Sequence, residues 1–391
     1  MNRVTLGIET LSASPPPGLK KQRLGLLCNS ASVGGNLIHG RQLIHAALGE
    51  RLKVLFSPQH GLFAEKQDNM IESNHRRDPL LEIPVYSLYS RARIPTREMF
   101  SGIDVLLVDL QDVGTRVYTF IYTLSYCMQA AEQYGKKVVV LDRPNPLGGL
   151  QVEGNCLSPQ YSSFVGRYPI PMRHGLTIGE LARLFNAEFG IGCHLEVLPM
   201  RGWRREMYFA DTGLPWVAPS PNLPTPVSAL VYPGQVIIEG TNLSEGRGTT
   251  QPFELCGAPY LDQKAVLNSL APRHTEGAYL RPVEFEPTAN KWKAEICRGF
   301  QIHVMDPRRF RPYRTSLALL RAIMASHADH FQWKQPPYEY EFERLPIDLI
   351  LGERKIRKQL EAGLPLEEME TEWQHGLREF EKLRHNYLLY P

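Results

Sequence analysis

Residues 104–143 read DVLLVDLQDVGTRVYTFIYTLSYCMQAAEQYGKKVVVLDR, and this stretch decides the fold. Mostly apolar residues from Asp104 to Leu110 run into a polar cluster. A helix-length segment rich in apolar and aromatic side chains follows, and a second apolar run spans Lys137 to Leu141. Short β-branched runs separated in this way read as strand, crossover helix and parallel strand, the unit of an α/β sheet buried on both faces. Ligands of such sheets bind beyond the carboxyl ends of the strands. Here those ends carry Asp109, Gln111, Asp112 and Arg116 after the first strand, and Asp142, Arg143 and Asn145 after the second. The two ends are therefore expected to floor a polar-ligand site.

Working outward, further strands are expected at Arg23–Asn29, Leu52–Phe56, Pro84–Tyr89 and His194–Leu198, with a short helix at Arg41–Leu48. Thr177 followed by Glu180 marks a capping box ahead of an apolar face of Leu181, Leu184 and Phe185. Between Gly202 and Pro226 the composition turns to Trp, Pro, Ser and Asn, which suits an extended connector. A domain boundary is placed there, giving an α/β domain over 1–210 and a smaller α+β domain over 211–391. In the second part QVIIEG reads as a strand entering a glycine-rich loop, ICRGFQIHVM as strand, and SLALLRAIMASHADHF and the charged run from Glu353 to Arg384 as helices.

A chain of 391 residues exceeds one ordinary core, which agrees with two domains. A net charge of +3 with no long Lys/Arg block gives no footprint for nucleic acid. The N-terminal residues show no apolar signal core and the chain no apolar span of membrane length, so a soluble, cytoplasmic protein without membrane partners is expected. Cysteines at 28, 127, 156, 193, 256 and 297 stand singly, as reduced and mostly buried thiols do, and neither they nor the histidines show metal-ligand spacing.

The phosphate-cradling patterns GxGxxG and GxxxxGK[ST] are both absent, which reduces nucleotide binding to a minor alternative. Three loops concentrate chemistry. Ser57–Asn69 sets Gln59, His60, Glu65 and Asp68 beyond a strand end, where a partly enclosed carboxyl has the raised pKa that a general acid needs; a solvated loop is the plainer reading. In LQDVGTRVYT, Asp112 and Arg116 either open a helix or hold a ligand. In EGTNLSEGRGTT, Glu239, Asn242, Glu245 and Arg247 sit among glycines that allow close backbone approach. Tyr118, Tyr122, Trp203, Trp216 and Tyr232 offer faces on which a sugar stacks, although most aromatics in a chain of this size are core.

The runs SPQHG, DLQDVGTRVYT, VVVLDRPNPLGG, VEGN, SFVGRYPIPMRHGLTIGELARLFN, LPWVAPSPNLPT, LVYPG, EGTNLSEGRGTTQPFEL and the closing NYLLYP closely resemble the exo-β-N-acetylmuramidase (NamZ) family of glycoside hydrolases. The similarity covers nearly the whole chain. It implies a Rossmann-like, mostly parallel sheet domain and a smaller second domain with the active site in the cleft between them. It also implies release of N-acetylmuramic acid from the non-reducing end of peptidoglycan fragments, and no cofactor.

One departure stands out. Family members resembling this chain carry glutamate, the proposed catalytic acid, where it has Gln59, and they continue as a Gly-Asp-type run where it has Ala64 to Asp68. An amide cannot give up a proton as a carboxylic acid does. Glu65 is therefore expected to supply the acid from the same loop, with Asp112 or Glu245 as its partner; a different substrate or weaker catalysis is the other reading. The two carboxyls of a glycosidase stand about 5 Å apart if configuration is retained and roughly 6.5–9.5 Å if it is inverted. Arg116, Arg143 and Arg247 are the candidates for the lactyl carboxylate of muramic acid, which a planar guanidinium fork matches. Asn29, Gln59, His60, Gln111, Asn145, His174 and Asn242 would hold hydroxyl and acetamido groups, with Tyr118 stacking. The rivals are a non-catalytic sugar-binding protein and a nucleotide-sugar or phosphate-handling enzyme. Self-association is left open.

Overall fold

In the two central strands successive side chains enter different cores, and this alternation builds the molecule. The computed structural model describes residues 3–67, 70–90 and 93–391. Its main sheet holds β1 (Leu24–Cys28), β2 (Leu52–Ser57), β3 (Arg76–Arg77), β4 (Pro84–Ser87), β5 (Val105–Asp109), β6 (Lys137–Leu141) and β9 (His194–Leu198), in the order β3-β4-β2-β1-β5-β6-β9. Every pairing is parallel except β3 with β4. Val105 and Leu107 of β5 and Val139 and Leu141 of β6 join one apolar cluster; Leu106, Val108, Val138 and Val140 join another. A period of two on a sheet covered on both sides requires this division.

Helices α1 (Gly7–Ala13) and α2 (Gly40–Leu48) cover the first face through Ile8, Leu11, Ile44 and Leu48. Helices α3 (Arg97–Ser101), α4 (Phe120–Gln133) and α5 (Ile178–Glu188) cover the second through Phe100, Leu124, Met128, Leu181 and Phe185. The expected capping box opens α5: Thr177 Oγ1 accepts from the Glu180 amide at 3.2 Å, and Glu180 Oε2 accepts from the Thr177 amide at 2.9 Å. Residues 110–119 form a buried loop before α4, with Gly114 at φ +74 and the Asn145 side chain where a Cβ would stand. Strands β7 (Glu153–Cys156) and β8 (Pro171–Arg173) make a small antiparallel pair beside it.

The second region is a smaller α+β unit. It contains α6 (Pro226–Gln235), β10 (Leu255–Ala258), α7 (Gln263–Ser269), β11 (Ala278–Phe285), β12 (Cys297–Val304), α8 (Pro312–Ser326), α9 (Pro346–Leu351), α10 (Arg354–Glu361) and α11 (Leu366–His385). The sheet is antiparallel in the order β10-β12-β11. The run VIIEG, expected as strand, is instead a 3-10 turn continuing α6. A short buried apolar run has no periodicity to separate the two, and a preceding helix carries it onward. Gly363 at φ +69 and Pro365 break the charged C-terminal run into α10 and α11.

The halves share one core. The cluster holding Leu106 and Val108 continues through Val231 of α6, Leu317 and Leu320 of α8, and Ile347 and Ile350 of α9. The chain end returns to the first sheet, where the Tyr390 hydroxyl donates to Asp142 Oδ2 at 2.6 Å and the Leu389 amide to Glu180 Oε1 at 2.8 Å.

Candidate active site

A narrow cleft lies where the loop after β2 and the start of α4 meet the second region. His60, at φ 72 and with its Nδ1 2.7 Å from the Lys66 carbonyl, turns the loop after Pro58. Gln59 is thereby set against the α4 entrance. Its Oε1 accepts from the Thr119 hydroxyl at 2.7 Å, and its Nε2 donates to Glu339 Oε1 at 3.1 Å. Tyr89, just past β4, donates its hydroxyl to the other oxygen, Glu339 Oε2, at 2.7 Å. Glu339 and Tyr340 have φ 46 and 68, a left-handed region that non-glycine residues seldom occupy and that collects at functional sites. Burial pushes the Glu339 carboxyl above the ordinary carboxylate range, while the hydrogen bonds from neutral Tyr89 and Gln59 pull it partly back.

A second carboxyl lines the same cleft in contrasting surroundings. Glu239 closes the turn after α6; its Oε1 accepts from Arg247 Nη2 at 2.7 Å and its Oε2 from the Tyr338 hydroxyl at 2.8 Å. Arg247 Nε also lies 3.1 Å from Glu245 Oε1, and Lys291 Nζ lies 2.9 Å from Glu245 Oε2. Burial works to raise the Glu245 carboxyl, but Lys291 and Arg247 outweigh it and hold it below the usual range. One carboxyl with neutral donors beside one paired with a cation is the arrangement that divides acid from charge-stabilising roles. Tyr118, Tyr232 and Phe253 form a wall, with edge-to-face centroid separations of 6.1 and 4.8 Å, and Ser220 and Asn222 of the connector contribute polar side chains.

Two family models match, described as the N-terminal and C-terminal parts of exo-β-N-acetylmuramidase NamZ, over residues 24–227 and 230–390. The chain belongs to the exo-β-N-acetylmuramidase NamZ family. It is 42% identical over 388 residues to the peptidoglycan β-N-acetylmuramidase NamZ of Bacillus subtilis (strain 168), spanning 99% of this chain and 92% of that one. Two crystal structures of DUF1343 family proteins from Bacteroides fragilis NCTC 9343 superpose with TM-scores of 0.89 and 0.78 at 34% and 28% identity. Each covers 100% of this chain and 99% of its own.

Of the site residues expected from sequence, the fold brings Gln59, His60, Tyr118 and Arg247 to the cleft. Glu245 stands behind Arg247. Glu65 does not line the cleft: it is partly exposed, accepts from the Phe63 amide at 3.0 Å and pairs with Arg76 at 3.4 Å, so it ties down its own loop. Asp68 lies outside the described residues. Asp112 is buried within the 110–119 loop, accepting from the Gly114 amide at 2.8 Å with His174 Nε2 3.3 Å away. Arg116 is fully buried and donates to four carbonyls, those of Asn155, Ile170, Ile350 and Leu351, joining the β7–β8 pair to the end of α9.

The ends of β5 and β6 do not floor this cleft. Arg143 grips Asp109 with Nε and Nη2 at 2.6 and 2.9 Å, and Gln111 donates to the Asp112 and Pro144 carbonyls. Arg143 and Gln111 line a separate small crevice under residues 214–217 of the connector. Asn29, Asn145 and Asn242 donate to the carbonyls of Pro219, Leu176 and His330. The sequence reading missed Glu339 and Tyr338 and gave Glu239 no role. The available signal was PPYEYE, where aromatic and acidic residues alternate behind two prolines. Among the described residues no group of acidic, His or Cys side chains suits a metal ion, and no helix is long and apolar enough to cross a membrane.

Proposed function

We propose that this protein is a glycoside hydrolase that removes terminal β-linked N-acetylmuramic acid from the non-reducing end of peptidoglycan fragments, with Glu339 as general acid. Family membership supports the reaction type. The observation that carries the acid assignment is the Glu339 carboxyl, buried in the cleft, raised in pKa by that burial and hydrogen-bonded by the neutral Gln59 and Tyr89. Glu339 gives its proton to the glycosidic oxygen as the bond to the anomeric carbon breaks, and water then adds to that carbon, releasing a proton that restores the Glu339 carboxyl. Glu239, fixed by Arg247 and Tyr338, offers negative charge to the oxocarbenium-like transition state. Gln59 acts on the acid through its amide N–H.

Incubation with the MurNAc-GlcNAc disaccharide tests the reading: free N-acetylmuramic acid should accumulate. Glu339→Gln should abolish this turnover yet retain much of the rate on a muramide with an acidic phenol as leaving group, which departs without protonation. Tight binding without turnover would point to a sugar-binding protein. Thermal stabilisation by nucleotides and not by muramic acid would point to a nucleotide-handling enzyme.

A further inference from the structure

The three arginines expected to meet an acid group on the sugar are all engaged: Arg116 with carbonyls, Arg143 with Asp109, and Arg247 between Glu239 and Glu245. Arg93 forms no ion pair at bonding distance among the described residues, although its charge is near enough to Glu339 to pull that carboxyl downward. Its guanidinium lies 3.8 Å from the Tyr340 ring centroid, 4.4 Å from that of Phe164 and 5.6 Å from that of Tyr89. The three rings do not line the cleft themselves but stand next to residues that do. Tyr340 follows Glu339, Phe164 precedes the cleft-lining Val165, and the Tyr89 hydroxyl holds Glu339.

Rings stacked on a guanidinium fix its plane and leave its in-plane N–H donors available. A fork held this way is organised in advance for a planar carboxylate. Arg93 is half-buried, so desolvation strengthens such a contact. Two further cations lie over cleft rings: Arg247, 5.2 Å from the Phe253 centroid and already paired with Glu239 and Glu245, and Lys334, which is exposed and stands 5.7 Å from the Tyr338 centroid.

We propose that Arg93, in its cage of Tyr340, Phe164 and Tyr89, is the specificity-determining residue that binds the lactyl carboxylate of the sugar. The assignment rests on the muramic acid reading above. It follows that a substrate whose lactyl carboxyl is blocked as an amide forfeits this contact.

The test compares kcat/KM on a chromogenic β-N-acetylmuramide with its lactyl carboxyl free and the same compound with it amidated, alongside thermal stabilisation by free N-acetylmuramic acid and by N-acetylglucosamine. Arg93→Met should lower kcat/KM on the free acid by roughly 10- to 100-fold, mostly through KM, and leave the amide within about twofold. It should also erase the extra stabilisation given by muramic acid, Arg93→Lys should restore part of both, and Lys334→Met should change neither. Equal losses on both substrates, an unchanged preference, or a loss that follows Lys334 overturns the role of Arg93 while leaving the hydrolase reading intact. Wild-type protein that neither cleaves the muramide nor is stabilised by muramic acid overturns both.

Discussion

Gln59 Nε2 lies 3.1 Å from Glu339 Oε1, so an amide that cannot titrate holds the carboxyl assigned here as the acid. Replacing it with the family's residue, Gln59→Glu, sets two carboxyl groups side by side, and like charges at that separation do not both ionise. The shared proton is then retained to higher pH. The alkaline limb of the pH profile of kcat/KM should move upward by roughly one unit or more. A limb that stays in place, or moves down, removes Glu339 as the group that sets it.

Glu65→Gln probes the loop directly. Its carboxyl accepts from the Phe63 amide and faces Arg76 in a partly exposed pair. Solvent screening leaves such a pair worth less than about 1 kcal/mol. Turnover of the disaccharide should stay near normal and urea unfolding should shift little. A hundredfold fall in kcat, by the ratio usual for lost general acid catalysis, would return the acid role to Glu65.

Arg247→Met strips Glu239 and Glu245 of the cation between them, leaving Lys291 to balance two buried carboxylates. Breaking a buried pair from one side costs about 3–5 kcal/mol, visible as a lower urea midpoint. Activity should fall as well, because Glu239 loses one of its two anchors. Full activity with unchanged stability would mean the interlocked charges neither support the fold nor orient Glu239.

The C-terminal clasp sets a pH dependence of stability. Burial raises Asp142 from an ordinary value of 3.8 to about 7, with the nearby Glu180 adding to the rise while Tyr390, Thr177 and the Gly179 amide oppose it. An acid that holds its proton more tightly in the folded state contributes stability while protonated. That contribution is complete below 3.8 and lost as pH rises through about 7. Glu153, also raised to about 7 by burial, acts in the same direction. The fall in melting temperature between pH 4 and pH 7 should therefore be smaller in Asp142→Asn than in wild type, on a scale of about one pKa unit per 1.4 kcal/mol. Parallel curves would show that Asp142 is charged throughout.

The sheet was legible because β5 and β6 alternate between two cores, and a strand buried on both faces leaves an apolar run that loops do not mimic. The capping box at Thr177 was legible for a local reason, since its residues are three apart. The site was much less so. Gln59 and Glu339 meet across 280 positions, and nothing periodic in either segment announces the contact. Polar loop residues look alike whether they hold a ligand or a backbone. Arg116 was weighed as ligand-binding, and four carbonyls take its donors; Asn29 and Asn145 likewise bond to main chain. VIIEG read as strand because its helical context lies in the ten preceding residues, which a proline at 233 disguises.

The apolar cluster that runs unbroken from Val108 to Leu317 and Ile350 bears on how substrate enters. Swinging one half away from the other would wet interior side chains, each at roughly 1.5–3 kcal/mol for a Val or Leu. Wide bivalve motion is therefore a costly gate. The slender segments at the mouth, the turn at His60 and the stretch around Tyr340, instead carry left-handed backbones whose conformational energy a local opening would release.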